Sequence, residues 1–299
     1  MSSLSEHDIS EIKNAFKRAN YLWIFLSLFL GLLSHISRSY RWNFLLEPLG
    51  YKSRLLNNVF AVFSAYLINL ALPRAGEFAR ATAISKYEDI PFEKAFGTIV
   101  AERVIDVIML LIVIVFALFY QFDLLRDVLL TKIPDNPAIH MALVLLLAIL
   151  GWVFFAFLKK SDNRIAKKLR GFLIGLFKGV KSIFEMKKKW AFLAHTLFIW
   201  AMYILMFYTV LLALPETSQV GFGAVITGFV IGSLSIAATN AGLGTYPLGV
   251  QQVLILYGVA SNPALAFGWL MWTAQTLMVL FFGGLSMLLL PVYNRDKNL

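Results

Sequence analysis

The sequence predicts an all-α, polytopic helical membrane protein with two broken or re-entrant segments, arranged as an inverted repeat. Three observations carry that prediction. Hydrophobic residues make up 59% of the 299-residue chain and charged residues only 15%, with a mean hydropathy of +0.73, far from the usage of a soluble domain. Apolar runs long enough to cross a bilayer, at about 1.5 Å per helical residue, recur along the whole length. Two of these runs end in interruptions rich in charge, proline or glycine, and the two interruptions occupy comparable places in the two halves of the chain.

Residues 1–20 are polar, and no charged n-region followed by an apolar h-region suggests a cleavable signal. Tyr21 to Ser37 is the first expected span. It ends in Arg38-Ser-Tyr-Arg41-Trp42, whose Arg38, Arg41 and Trp42 read as headgroup anchors at a cytoplasmic interface. Asn57 to Pro73 is apolar but short and runs into the first interruption, Pro73 to Arg80. Proline removes a backbone donor and glycine loosens the helix, so a re-entrant or broken helix is expected there. A new span builds from Phe92 and ends near Phe122. The loop that follows, to Pro137, carries Asp123, Asp127 and Asp135 against Arg126 and Lys132, and reads as external.

Ala138 to Leu158 is a further span. Lys159 to Lys189 then holds eleven Lys or Arg against Asp162 and Glu185, with apolar residues at helical spacing between them. That pattern predicts a cytoplasmic, basic amphipathic segment on the membrane surface. Trp190 to Leu214 spans again, Pro215-Glu216 makes an external turn, and Val220 to Thr239 runs into the second interruption, Asn240 to Gly249. An apolar piece to Val259 and a long run from Ala264 to Leu290 complete the membrane part. The whole chain, 1–299, is expected to form one transmembrane domain.

The net charge of +10 is concentrated between two apolar spans, as the positive-inside bias produces, and it answers to anionic phospholipid headgroups rather than to nucleic acid. Cysteine is absent and the four histidines, His7, His35, His140 and His195, share no ligand spacing, so no metal or cofactor is expected. Neither a nucleotide-binding loop nor a nucleophile elbow is visible, so no catalytic residue is assigned and the chain does not read as an enzyme.

Chemistry-bearing residues cluster in three places. The first interruption contains Asn69, Pro73, Arg74, Gly76, Glu77 and Arg80; Glu102, Arg103 and Asp106 follow in the next apolar run; Asn240, Gly242 and Gly244 form the second interruption. Charges inside membrane-grade sequence cost several kcal/mol or more and point to function. Glu102 and Asp106 lie on one helix face and repel unless a cation intervenes, with Arg103, Arg74 or Arg80 as the available partners. Two readings stand: an ion network inside the bundle, or charges anchored at the interface of a span that begins at Val104. For the glycine-rich second interruption, ordinary close helix packing is the alternative.

With Arg38 to Leu46, Asn69 to Arg80, Glu102 to Asp106 and the Gly242-Leu-Gly244 break in this order, the sequence resembles the lysylphosphatidylglycerol synthase transmembrane, or flippase-like, family. The resemblance implies a bacterial inner-membrane protein that moves a phospholipid or other lipid across the bilayer. Family members usually begin with a further apolar helix ahead of the segment resembling Ser5 to Tyr21, and many carry an acid where Pro247 stands here. The family's founding enzymes also carry a soluble aminoacyl transferase domain, for which this chain has no counterpart. A lipid-binding or scaffold subunit for an enzyme encoded elsewhere is the alternative function.

Overall fold

A computed structural model describes residues 6–121, 167, 171 and 186–295. Every regular element among them is helical: α1 (Glu6–Arg18), α2 (Tyr21–Leu46), α3 (Leu55–Ala71), α4 (Ala75–Glu88), α5 (Phe92–Tyr120), α6 (Lys189–Leu211), α7 (Phe222–Ala238), α8 (Thr245–Leu256) and α9 (Ser261–Tyr293). Four of the described helices are long and apolar enough to cross a membrane: α2 with its 3-10 extension to Leu49, α5, α6 and α9. The chain is thus a multi-pass helical membrane protein. It divides into two compact units, one of residues 1–102 and 186–299, the other of residues 103–185. The expected span at 138–158, the basic amphipathic segment up to residue 185 and the loop after Phe122 lie outside the described residues, apart from isolated positions 167 and 171.

In the larger unit α2 and α6 run antiparallel. The backbone N–H of Asn20 donates to Ala213 O at 2.8 Å at one end, and Lys188 Nζ meets Glu47 Oε1 at 2.9 Å at the other. Ser27 donates to Met206 O between them. The outer face of α2 exposes Leu22, Phe25 and Phe29 to lipid, while Ser27, Ser34 and Ser39 are fully buried. The helix does not stop at Ser37. It continues through Arg38 and Trp42 to Leu46, because these charged and aromatic side chains find partners inside the bundle.

Both interruptions are helical hairpins. In the first, α3 and α4 have 17 and 14 residues, about 25 and 21 Å at the helical rise, so neither comfortably crosses a hydrocarbon core of about 30 Å. Leu72, Pro73 and Arg74 form the tip, with Arg74 in the left-handed region at φ 65°. Asn69 Oδ1 accepts from the Gly76 N–H at 2.8 Å and closes that tip. A Cβ on Gly76 would lie 2.1 Å from Ala65 O, so only glycine permits this approach of the two helices. At the base, Arg54 Nε donates to Glu88 Oε1 at 2.9 Å.

In the second hairpin α7 and α8 are held at the base by Thr227 and Tyr257, whose hydroxyls are 3.2 Å apart. At the tip the Thr239 and Thr245 hydroxyls are 2.8 Å apart. Gly232 admits the Tyr246 ring between the helices. The first hairpin has its base where α2 ends and α6 begins, and the second has its base at the opposite end, a short connection after Ala213. The two tips therefore point toward each other, and Asn240 Nδ2 donates to Leu70 O at 3.0 Å. Helix α9 serves both: Gly268 lies against Pro247 of the second hairpin, and Gly283 against Phe63 and Leu67 of the first.

Two predictions follow from this arrangement. The positive-inside bias places the end with Lys52 and Lys187 to Lys189 in the cytoplasm. In intact cells an impermeant thiol reagent should label Gln219→Cys and spare Lys52→Cys, and the opposite pattern would reverse the orientation. Gly76→Ala should unfold the first hairpin, at a cost of about 1–3 kcal/mol or more, whereas Gly97→Ala, where a Cβ would meet nothing within 4 Å, should leave thermal stability in detergent unchanged.

Candidate functional site

The polar centre of the larger unit is built around one carboxylate. Glu102, on α5, is fully buried, and three guanidinium groups reach it. Arg38 Nη1 lies 2.6 Å from Oε1. Arg80 grips the carboxylate with both terminal nitrogens, at 3.3 Å to Oε1 and 3.0 Å to Oε2. Arg41 Nη2 is 3.7 Å from Oε1. The planar fork of arginine matches a carboxylate in this way, and its charge persists in low dielectric where a lysine would lose its proton.

The surrounding residues hold each guanidinium in place. Arg80 lies over the Trp42 ring, with its central carbon 3.8 Å from the centroid. Trp42 is fixed in turn by donating its indole N–H to Thr98 Oγ1 at 2.8 Å. Arg41 donates to Thr196 Oγ1 at 2.8 Å and sits over the Phe192 ring. Arg38 donates to the Tyr203 hydroxyl at 3.3 Å. Below the cluster, Asn43, Ser53 and Asn58 exchange hydrogen bonds that join the end of α2 to the start of α3.

These contacts correct one expectation. Arg38, Arg41 and Trp42 are not headgroup anchors: they are 3%, 0% and 0% exposed. The physical reason is Glu102, since a buried carboxylate draws cations inward more strongly than a headgroup layer holds them at the rim. The partners of Glu102 also differ in part from those anticipated. Arg80 is among them, but Arg74 is exposed at the hairpin tip, and Arg103 pairs with Asp106 at 3.5 Å in the smaller unit, its side chain 40% exposed.

The remaining residues singled out in the sequence gather at the hairpin tips. Asn69 both caps Gly76 and donates to Glu77 Oε2 at 3.3 Å. Pro73 is exposed in the first tip, and Thr239, Asn240 and Thr245 are exposed in the second. Gly242 and Gly244 adopt φ 74° and 73°, and Ala241 between the hairpins' contact points adopts φ 52°. Ala241 O accepts from the Trp272 indole at 2.9 Å. Sequence reasoning missed Trp42, Thr98, Thr196 and Tyr203 as parts of the cluster. The available signal was the spacing of Arg38 and Arg41, one turn apart on one face with apolar residues on both sides. Among the described residues no group of three His, Asp or Glu side chains could hold a metal ion.

Paired helical hairpins meeting tip to tip beside a buried ion cluster define a multi-pass membrane protein with a polar interior, not a simple anchor. The chain belongs to the family described as the lysylphosphatidylglycerol synthase TM region, which it matches over residues 2–284. It is similar to a UPF0104 membrane protein of Methanocaldococcus jannaschii, 35% identical over 101 residues, covering 33% of this chain and 30% of that protein. A UPF0104 membrane protein of Methanothermobacter thermautotrophicus is 23% identical over 253 residues, 78% of this chain and 72% of the relative. The first match thus spans less than a third of the relative's own length. No solved structure matches the chain. These likenesses place the protein in a lipid-related family of membrane proteins.

The cluster makes a stability prediction. Glu102→Gln removes the carboxylate that the three guanidiniums share and should destabilise the protein by about 3–5 kcal/mol. Arg80→Gln should cost less, because Arg38 and Arg41 remain on Glu102. Coupling in the double variant, read from unfolding in detergent, should be well above additive error.

Proposed function

We propose that the protein moves a phospholipid, or another lipid with an anionic headgroup, across the membrane without chemically altering it. The single observation that carries this reading is the meeting of two hairpin tips, joined by Asn240 and Leu70 O, with Arg74, Thr239 and Thr245 exposed around the contact. Irregular backbone at membrane depth is tolerated where it lines a polar cavity, and such tips are where transporters built from inverted repeats bind their substrates. Membrane lipids are the proposed partners, and the bacterial inner membrane implied by the sequence resemblance belongs to the proposal. The curated relatives named above are archaeal.

In this reading the acyl chains stay in lipid while the headgroup follows the polar tips. Arg74 meets the phosphate first, since a guanidinium fork pairs with phosphate oxygens as it does with a carboxylate. Arg80 lies on the same hairpin, less than two turns further along α4, and is held by Glu102. A phosphate that reaches it competes with Glu102 for the same nitrogens, so Glu102 keeps the arginine in place between passages.

The test is reconstitution into vesicles with a fluorescent phospholipid and an impermeant reductant. The parent protein should expose inner-leaflet lipid to the reductant. Arg74→Gln, folded and at equal density, should slow that exposure by roughly ten- to hundredfold, the rate equivalent of one charge-assisted hydrogen bond. Binding of anionic lipid without any translocation would instead favour the lipid-binding or scaffold subunit.

A further inference from the structure

The two hairpins are held unequally. The first is tied by charged groups at two levels among the described residues. At its base, Arg54 bonds Glu88 and the Asn294 side chain at the end of α9 and lies over the Tyr293 ring. Buried Asn57 bonds both Glu88 and Asn294. Halfway up, Arg80 grips Glu102 with two nitrogens.

The second hairpin brings no charged side chain of its own. From Phe222 to Leu256 the sequence contains no Asp, Glu, Lys or Arg. Its side-chain and indole hydrogen bonds to other elements, among the described residues, are neutral: Asn240 to Leu70 O and Trp272 to Ala241 O at the tip, and Gln251 to Ser261 toward the base. Its packing against neighbours runs over small residues, with Gly228 under the Phe207 ring and Gly268 of α9 against Pro247. Internally, however, it is well braced by the Thr227–Tyr257 and Thr239–Thr245 pairs and by Gly232 and Gly249, which seat Tyr246 and Ser235. It is a braced two-helix body with smooth faces.

Charge-assisted bonds in low dielectric resist separation far more than neutral ones, and helices packed over small residues can slide as shear interfaces. Left-handed backbone occurs at both tips, at Ala241 in the second and at Arg74 in the first, so what separates the hairpins is the charge that holds them.

We infer that the second hairpin is the moving gate of the site and the first its fixed wall, with Asn240–Leu70 and Trp272–Ala241 as the catch. Because the second hairpin has its base at the end that carries Glu216 and fills that side of the larger unit, its displacement opens the site toward that end. This assignment names the moving part of the lipid path and rests on the translocation reading above.

The absence of cysteine makes the test direct. Spin labels are placed in nanodiscs at exposed Leu243→Cys on the second tip, or Leu72→Cys on the first, each paired with exposed Phe281→Cys on α9. The 243–281 distances should fall into two populations and the 72–281 distances into one. A second population confined to 72–281, present in both pairs, or absent from both, overturns the assignment. In vesicles, linking Leu70→Cys to Asn240→Cys with a short thiol cross-linker should slow lipid exposure at least about tenfold relative to the uncross-linked pair. Linking Asn57→Cys to Asn294→Cys at the fixed base should leave it within about twofold; the reverse pattern also overturns the gate. If the parent moves no lipid yet the 243–281 pair alone keeps two populations, the gate stands and the lipid reading fails.

Discussion

The interaction on which the rest of the structure depends is the burial of one carboxylate, Glu102, among Arg38, Arg41 and Arg80. It joins three helices, α2, α4 and α5. A guanidinium does not shed its proton at any ordinary pH, so burying one inside a membrane bundle requires a counter-charge and hydrogen-bond acceptors in fixed positions. Glu102 supplies the charge, and Thr196 and Tyr203 supply acceptors. That requirement sets the rotation of α2, turning Arg38 and Arg41 inward and leaving Leu22, Phe25 and Phe29 toward lipid. It also fixes the depth of the first hairpin, because Arg80 meets Glu102 at only one position along α4. Buried ion clusters are not efficient stabilisers compared with apolar packing, so their presence here argues for a role in which charge itself matters.

The hairpins solve a second constraint that the cluster creates. A helix that ends inside the apolar layer leaves terminal carbonyl and N–H groups that lipid cannot satisfy. The first tip answers with Asn69, which caps Gly76, and with Leu70 O, which takes the Asn240 side chain. The second answers with Trp272 on Ala241 O. Each tip is therefore completed partly by the other half of the chain. Neither hairpin has its full set of bonds alone, which makes the tip contact a natural place for two alternative arrangements.

Much of this was legible in the sequence. Helical class, the long spans and both interruptions follow from hydropathy and from proline, glycine and charge placed against apolar runs; α5, α6, α7 and α9 begin and end within a few residues of the expected positions, while α8 starts at Thr245, inside the expected interruption. Arg80 and Glu102 stand out for the same reason. What the sequence hid was the destination of Arg38, Arg41 and Trp42. A basic-aromatic cluster after an apolar run has the same local pattern whether it meets headgroups or a buried acid, and only the long-range pairing with Glu102, 64 residues from Arg38, separates the two. The tip contact was hidden similarly, since Asn240 and Leu70 are 170 residues apart. Helical order within residues 6–18 was also unforeseen, although Ile9, Ile12, Phe16 and, just beyond, Ala19 recur at helical spacing and were the available signal.

The inverted arrangement is symmetric in shape but not in charge, and Pro247 shows how that asymmetry is built. It stands in the first turn of α8, where the missing backbone donor costs nothing because that N–H has no intrahelical partner, and it packs against the bare backbone of Gly268. An acid at this position would leave a carboxylate in an apolar, glycine-lined contact with no guanidinium on the second hairpin to meet it. Proline instead keeps the α8–α9 contact dry and smooth. The first hairpin carries Arg74, Glu77, Arg80 and Glu88 from tip to base, so of the two hairpins one is held by charge and the other by apolar shape-fitting. A polar path bordered by one charged, bonded wall and one neutral, smooth wall can change width without breaking an ion pair in low dielectric, which two charged walls could not do.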